Sequence, residues 1–347
     1  MRTFECACQG PLFFENTQCT RCQREVGWCP ECEAIVGLDP LDQGFGCTVC
    51  AAELAKCVNY AVQRVCNRLV PRANDGGLCD CCVHTRVIPD LDVPGHRERW
   101  ARLEEAKRRL VYQLDALGLP RRDLDPPLRF EFLADSVPTG PGRWRAMGGE
   151  QVMTGHAGGT ITIDVQEADD AERERMRLEM GEDYRTLLGH FRHESGHYYW
   201  EVLVDPDPQL RADYVALFGD PNQPTYADAL ERHYSEGAPA DWAERFTTPY
   251  ASMHSWEDFA ETWAAYLEIV STLDTAVHLG LGRRGASPYE RAEAIEPLLE
   301  RYRDLGIDLN EMNRAMGLDD LLTRRFPDPV VEKLAYVDRV VRGAQPR

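Results

Sequence analysis

The sequence predicts an α+β protein in which a Cys-rich N-terminal module precedes a larger domain with a small mixed sheet and a mostly helical C-terminal half. All 13 cysteines lie between Cys6 and Cys82. Two segments, 129–135 and 158–169, alternate between apolar and polar residues as strands do. Most of the chain after them has the apolar spacing of helices. The length of 347 residues suits about two domains.

The composition is typical of a globular chain, with 43% hydrophobic residues and a net charge of −19. No apolar run approaches the ~18–20 residues of a membrane span. The N-terminal segment MRTFECACQGPLFF lacks the basic and long apolar stretches of a secretory signal. We therefore expect a cytoplasmic protein that does not enter a membrane. The negative charge also disfavours binding to nucleic acid, and the sequence does not predict an oligomeric state.

The cysteine spacing indicates metal sites. A disulfide framework needs an oxidising compartment, whereas paired cysteines in a cytoplasmic chain are typical of zinc sites. Successive groups of four are Cys6, Cys8, Cys19 and Cys22; Cys29, Cys32, Cys47 and Cys50; and Cys57, Cys66, Cys79 and Cys82. Four thiolates suit tetrahedral Zn²⁺, so we expect roughly two to three structural zinc ions in a zinc-ribbon domain over residues 1–87.

The groups differ in regularity. The second has the plain spacing of a zinc ribbon, and the first begins with a closer pair. The third is the least regular, because Cys57 and Cys66 stand apart and Cys81 could replace a neighbour. Its cysteines could instead be buried apolar residues or free thiols. A module this small has little core, so zinc binding would supply much of its folding free energy.

A connector and a long helix follow the module. Residues 88–96 contain prolines and a glycine and predict an extended linker, which leaves 97–347 as the second domain. Apolar residues from Trp100 to Leu117 recur at helical spacing, until a glycine and a proline end the helix. The charged residues between them predict a solvated face.

A later helix carries a metal-binding pattern. The stretch GHFRHESGHYYW, 189–200, places His193 and His197 one turn apart on one face, close enough to bind one ion. Glu194 can then take a proton from a zinc-activated water. Gly196 lowers helix stability, and we expect it to admit a neighbouring strand or a substrate. Such a short pattern also arises by chance, so further ligands must be found.

Catalytic zinc needs a third protein ligand besides water. The extended pattern H-E-x-x-H-x-x-G-x-x-H is excluded, because Trp200 and Leu203 occupy its glycine and third histidine positions. A second amphipathic helix, 255–269, carries Glu257 and Glu261 on one face among apolar neighbours. An unpaired carboxylate there would be unfavourable, and a metal ion would remove that difficulty.

The combination of HESGH with EDFAE resembles the gluzincin group of zincin metallopeptidases, and most closely its lethal-factor-like branch. This resemblance implies that Glu257 is the third zinc ligand and that Glu261 orients a ligand without binding the metal. The branch also has a tyrosine seven residues before the ligand glutamate, here Tyr250, which stabilises the oxyanion. His190, three residues before His193, either supports the metal site or belongs to the core.

Nearly the whole chain is similar to a family of bacterial zinc-binding metallopeptidases that join an N-terminal zinc ribbon to a zincin-like domain. The similar segments are FFEN, CVNYAVQRVCN, IPDLDVPGHRERW, GHFRHESGHYYW and YASMHSWEDFAETWAAYL. The resemblance implies hydrolysis of a peptide or protein substrate with one catalytic zinc ion. GGTITIDV, 158–165, would be the edge strand along which a peptide lies, although a plain sheet strand fits equally well.

Two other interpretations stay open. The zincin-like domain could bind peptides without cutting them, as part of a zinc-ribbon interaction module. The chain could also be a zinc-ribbon protein associated with nucleic acid, which its net charge disfavours. The intact Glu194 favours the enzyme, because a purely structural zinc site does not need it. His156 and His233 are expected on the surface.

Overall fold

A computed structural model gives the fold. It describes residues 2–134, 136–140, 143–146, 152, 154–180, 186–281, 285–290, 293–322 and 326–345. The chain divides into two compact units. The first comprises Met1–Arg109, Arg129–Thr154 and Thr162–Arg173, and the second comprises Leu110–Leu128, Gly155–Ile161 and Glu174–Arg347. Small sheets and about 49% helix confirm the predicted α+β class.

Short strands shape the Cys-rich part of the first unit. They are β1 (Phe4–Glu5), β2 (Pro11–Leu12), β3 (Val26–Cys29), β4 (Ala34–Pro40), β5 (Phe45–Cys47), β6 (Glu53–Lys56) and β7 (Leu69–Pro71), with helix α1 (Val58–Ala61) before β7. β1 pairs with β2, and β3 to β7 form an antiparallel sheet in chain order. Gly44 turns the chain from β4 into β5 with φ of +81°, and a Cβ there would lie 2.5 Å from the Leu54 carbonyl oxygen. Both facts require glycine at this turn.

Helix α2 (His96–Ala116) is the long helix predicted after the connector. Trp100 and the apolar residues that follow it at helical spacing are buried, as predicted. The prediction of a solvated charged face is wrong in part, because Glu104 and Lys107 are fully buried and Arg108 is 6% exposed. A salt bridge of 2.8 Å between Lys107 Nζ and Glu104 Oε2 offsets the desolvation of that pair.

Both alternating segments form strands. The first contains β9 (Arg129–Leu133) and the second contains β13 (Thr160–Asp164). The other strands in this part of the chain are β8 (Thr85–Val87), β10 (Ser136–Gly140), β11 (Arg143–Ala146) and β12 (Gly155–Ala157). β10 pairs with β11, and the others form a sheet in the order β12-β13-β9-β8, in which β8 and β9 are parallel. The edge-strand prediction for GGTITIDV is therefore wrong, because β13 lies between β12 and β9. In the described part of the chain, β12 is the edge next to it.

Helices make up most of the remaining chain. They are α3 (Asp170–Met180), α4 (Leu187–Tyr199), α5 (Pro208–Phe218), α6 (Tyr226–Glu236), α7 (Ser255–Leu279), α8 (Ile295–Ala315) and α9 (Asp328–Gly343). Thr186 caps α4, because its Oγ1 accepts a 2.9 Å hydrogen bond from the Gly189 amide. At its other end α4 continues into a π-helical turn, Trp200–Val204, and the Trp200 ring lies 5.5 Å from that of Tyr214 in α5.

Within the described ranges, every helix is too short or too polar to cross a bilayer.

Candidate metal centres

Helices α4 and α7 bring together two histidines and a glutamate. His193 and His197 lie one turn apart in α4, with their Nε2 atoms 3.1 Å apart. Glu257, in the first turn of α7, places its Oε2 atom 3.0 Å from His193 Nε2 and 3.5 Å from His197 Nε2. These residues, the His–Glu centre, could hold one metal ion. Two imidazoles and a carboxylate form one of the ligand sets of catalytic zinc.

A close helix crossing positions the His–Glu centre. A Cβ on Gly196 would lie 2.9 Å from Ala260 Cα and 3.1 Å from Trp263 Cβ, so only glycine permits this approach. Ser195 Oγ accepts a 3.1 Å hydrogen bond from Trp263 Nε1 at the same crossing. Gly196 therefore admits helix α7, and not the strand or substrate expected from the sequence. Because Glu257 is on α7, the crossing sets its distance from the histidines.

Glu261 holds one histidine from outside the ligand group. Its Oε1 atom lies 2.7 Å from His193 Nδ1. When Nδ1 carries the proton and donates a hydrogen bond to Glu261, the lone pair of His193 Nε2 is available on the side of Glu257. This is the contact by which a carboxylate orients a zinc-binding imidazole.

The charges of the His–Glu centre suit a cation. Burial lowers the pKa of His193, but hydrogen bonds with Glu257 and Glu261 outweigh it and hold that pKa well above its usual range. Burial raises the pKa of Glu257, but His197 and His193 outweigh it and hold that pKa below its usual range. The carboxylate thus stays ionised where positive charge is close. A divalent metal ion can supply that charge in place of protons.

Glu194 lies between the two histidines in α4 and is 7% exposed. Its Oε2 atom has no hydrogen-bond partner among the described residues. Burial is the main cause of a raised pKa at the Tyr226 hydroxyl, and both Glu257 and Glu194 add to it. The Glu194 carboxylate is therefore close to the group that contacts Glu257. A buried carboxyl oxygen without a hydrogen-bond partner lowers the stability of the fold, so its presence calls for a functional explanation.

Two tyrosines lie beside Glu257. Tyr226, from α6, donates a 3.0 Å hydrogen bond to Glu257 Oε1, whereas Oε2 faces the histidines. Tyr250 is half-buried, and its ring lies 6.3 Å from that of His193. Burial raises the pKa of Tyr250, and Glu257 and Tyr226 raise it further. The Tyr250 hydroxyl therefore keeps its proton and can act as a donor.

The other histidines occupy different places. His190 is half-buried in α4 and does not belong to the ligand group. The surface prediction for His156 is wrong, because its side chain is 1% exposed. Burial, and to a smaller extent His197, lowers its pKa to about 4. His233 is also half-buried, with its ring 5.8 Å from that of Tyr250.

Sequence reasoning missed two aromatic residues at this centre. Tyr226 precedes Glu257 by 31 residues and lies on another helix, so no spacing rule connects them. Trp256 places its ring 3.8 Å from that of His197. Its position next to Glu257, in the first turn of α7, was a signal that could have identified it.

Among the described residues, the cysteines assemble in the groups expected from their spacing. The first cysteine group is Cys6, Cys8, Cys19 and Cys22, the second is Cys29, Cys32, Cys47 and Cys50, and the third is Cys57, Cys66, Cys79 and Cys82. Sulfur–sulfur distances are 3.7 Å for Cys6–Cys22, Cys8–Cys19 and Cys32–Cys47, 3.8 Å for Cys29–Cys50 and 3.9 Å for Cys66–Cys79. Four sulfurs bound at 2.3 Å around a tetrahedral zinc ion lie about 3.8 Å apart, so the groups fit zinc as they stand.

Burial separates the third cysteine group from the others. All of its members are buried, whereas the first and second groups include the exposed Cys22 and Cys50. Cys81 is buried too, but it does not belong to the group. Burial raises the pKa of the Cys81 thiol to about 11, as expected for a side chain that packs as a thiol.

Comparison with known proteins agrees with this arrangement. Residues 96–340 match the family model described as "Putative zinc-binding metallo-peptidase", and residues 3–93 match a zinc-ribbon domain. Proteins described as uncharacterized from Mycobacterium bovis and Mycobacterium tuberculosis are 39% identical over 355 residues, which cover 100% of this chain and 97% of each relative. No solved structure matches the chain. The resemblance to metallopeptidases with an N-terminal zinc ribbon is confirmed, and the chain belongs to the family of that description.

Proposed function

We propose that the chain hydrolyses peptide bonds with one zinc ion held by His193, His197 and Glu257. The observation that carries this proposal is the Glu194 Oε2 atom, which, in the part of the chain that the structure describes, is buried without a hydrogen-bond partner beside a centre of three ligands. A structural zinc site closes with four protein ligands, whereas a catalytic site keeps three and leaves a position for water. The His–Glu centre offers three ligands, and the residue next to the first of them is a buried acid.

Glu194 is the general base in this proposal. When bound, zinc acts as a Lewis acid and lowers the pKa of the attacking water. Glu194 Oε2 can accept the proton of that water, because no described residue occupies this oxygen. The same carboxyl group can then give the proton to the leaving amine as the peptide bond breaks.

Tyr250 is the proposed donor to the carbonyl oxygen. Negative charge develops on this oxygen during attack, and a fixed donor stabilises it. Burial, Glu257 and Tyr226 raise the pKa of Tyr250, so the phenol carries its proton at neutral pH. Its ring lies 6.3 Å from that of His193, and Glu257 and Tyr226 are both near enough to raise its pKa.

Two contacts hold the zinc ligands in place. Glu261 holds His193 through Nδ1, and Tyr226 holds Glu257 through Oε1. Each contact is made to the atom of the ligand that points away from the metal position. The atom that would bind the metal, Nε2 of His193 or Oε2 of Glu257, is thereby held in its direction. Outer hydrogen bonds of this kind orient ligands and raise metal affinity.

The remaining assignments follow from the same proposal. We propose a peptide or protein as substrate, the cytoplasm as the place of action, and one structural zinc ion in each cysteine group. The alternative is a domain that binds peptides without cutting them. It is weaker because it gives the buried Glu194 carboxylate no role.

Cleavage of a peptide library by the zinc-loaded chain tests the proposal, with new N-termini identified by mass spectrometry. Glu194→Gln should lower the cleavage rate by roughly 10²–10⁴-fold without changing zinc per chain. Glu231→Gln is the matched control, because Glu231 is exposed on α6 and the chemical change is the same. Undiminished cleavage by Glu194→Gln, or none by the wild type, would overturn the proposal.

A further inference from the structure

Charged residues of α2 are buried next to the segment that carries the third cysteine group. Glu104 and Lys107 are fully buried and form a salt bridge. Thr85, three residues after Cys82, donates a 2.9 Å hydrogen bond to Glu104 Oε1 and accepts one from Lys107 Nζ. This pair therefore balances its own charge.

Arg108 is different. It is 6% exposed, and its Nη1 atom donates a 2.5 Å hydrogen bond to the carbonyl oxygen of Val65, the residue before Cys66. No carboxylate in the described ranges forms a salt bridge with it, whereas the buried Arg68 has Asp80 at 2.7 Å. A guanidinium does not lose its proton in a protein, so the charge of Arg108 needs another partner.

The third cysteine group and Glu104 both contribute negative charge near Arg108. Burial lowers the pKa of Arg108, but Cys66 first, then Glu104, Cys81 and Cys82, outweigh it and raise that pKa. Cys66 and Cys82 are ligand positions of the third group. A zinc ion held by four thiolates carries two net negative charges, so a filled third group is an anion next to the Val65 carbonyl that Arg108 contacts.

We propose that the zinc–thiolate complex of the third cysteine group is the counter-ion of Arg108, and that zinc bound there allows the first half of α2 to be buried. The third group then does more than cross-link the Cys-rich segment. It also supports the helix with which the metallopeptidase match begins at residue 96. The inference does not depend on peptide hydrolysis.

Hydrogen exchange of the full chain tests this. Cys66→Ser/Cys79→Ser removes two thiolates and the third-group zinc, and should speed amide exchange in residues 100–109 at least about tenfold, because removing one partner of a buried charge pair is strongly destabilising. Cys29→Ser/Cys32→Ser is the control. It removes the second-group zinc but should leave exchange in α2 as in the wild type. Equal effects of both pairs, or no effect of the first, would overturn the proposal.

A rescue variant separates charge from loss of packing. In the Cys66→Ser/Cys79→Ser background, Arg108→Met removes the uncompensated charge while keeping most of the side-chain volume. Exchange in α2 should return to within about threefold of the wild type if the charge caused the loss. Failure of this rescue would reject the counter-ion role. In the otherwise unchanged chain, Arg108→Met should weaken zinc retention by the third group alone, by roughly 10–100-fold in competition with a chelator.

Discussion

The His–Glu centre and the third cysteine group are both buried clusters of metal-binding atoms, but their hydrogen bonding differs. In the third group, backbone amides of Cys79, Cys82 and Arg68 donate to sulfur atoms at 3.3–3.4 Å. At the His–Glu centre, a carboxylate oxygen of Glu194 is buried without a partner.

The hydrogen bonding of the buried polar atoms distinguishes the two kinds of site. Burial alone does not do so, because both are buried. A site with four thiolates and donors on its sulfurs has no place for a substrate atom. A site with three ligands and an unused acid beside it has such a place, and gives up some stability to keep it.

The largest expected effect on activity comes from removing the zinc ion of the His–Glu centre, compared with removing one from a cysteine group. His197→Ala should lose one zinc per chain and at least about 10⁴-fold in kcat/KM, because Lewis-acid catalysis contributes several kcal/mol. Cys6→Ser/Cys8→Ser should also lose one zinc per chain but retain peptide cleavage. Elemental analysis and cleavage assays on both variants measure this, and equal loss of activity in both would remove the contrast.

Next in size is the proposed oxyanion donor. Tyr250→Phe should lower kcat roughly 10²–10³-fold, as removal of one oxyanion donor does, and leave zinc content unchanged. Steady-state kinetics with the best library peptide measure this. An unchanged kcat would show that the Tyr250 hydroxyl does not meet the reacting carbonyl.

A smaller effect is expected where Tyr226 holds Glu257. Tyr226→Phe removes the 3.0 Å hydrogen bond to Glu257 Oε1 and should weaken zinc binding at the His–Glu centre by roughly 10–100-fold. Chelator competition measures the affinity. Tyr234→Phe removes a hydroxyl from the same helix at a 69% exposed position and should bind zinc as the wild type does. If the two variants behave alike, Tyr226 does not support the ligand.

The last effect is on stability, at the helix crossing. Gly196→Ala forces a methyl group to within 2.9 Å of Ala260 Cα and should lower the free energy of unfolding by about 1–3 kcal/mol. Gly343→Ala in α9 is the control, because a Cβ there meets nothing within 4 Å. Urea unfolding of zinc-loaded protein compares them. A stability of Gly196→Ala at or above that of the wild type would mean that α4 and α7 cross less tightly.

The parts of the site that were predictable depend on short sequence distances. His193 and His197 are one helical turn apart, and Glu257 and Glu261 are one turn apart on α7, so periodicity and resemblance indicated both pairs. The cysteine groups also follow from spacing within a short segment. Secondary structure and candidate ligands can therefore be predicted where the residues concerned are close in sequence.

The rest depends on packing between distant segments, which periodicity does not contain. Tyr226 reaches Glu257 from another helix, and Gly196 meets Ala260 and not a strand. Glu104 and Lys107 have the polar pattern of a solvated face, yet each is fully buried because the other neutralises it. The position of β13 inside its sheet likewise depends on strand order, which alternation does not reveal.

The π-helical turn at Trp200–Val204 has a consequence for how this chain can vary. A π turn holds one more residue than an α turn, so it changes the angular direction of every side chain after it. The histidines lie entirely before it, on the segment fixed against α7. Insertions or deletions just beyond Trp200 can therefore be absorbed by rewinding this turn, so His193 and His197 keep their places against α7.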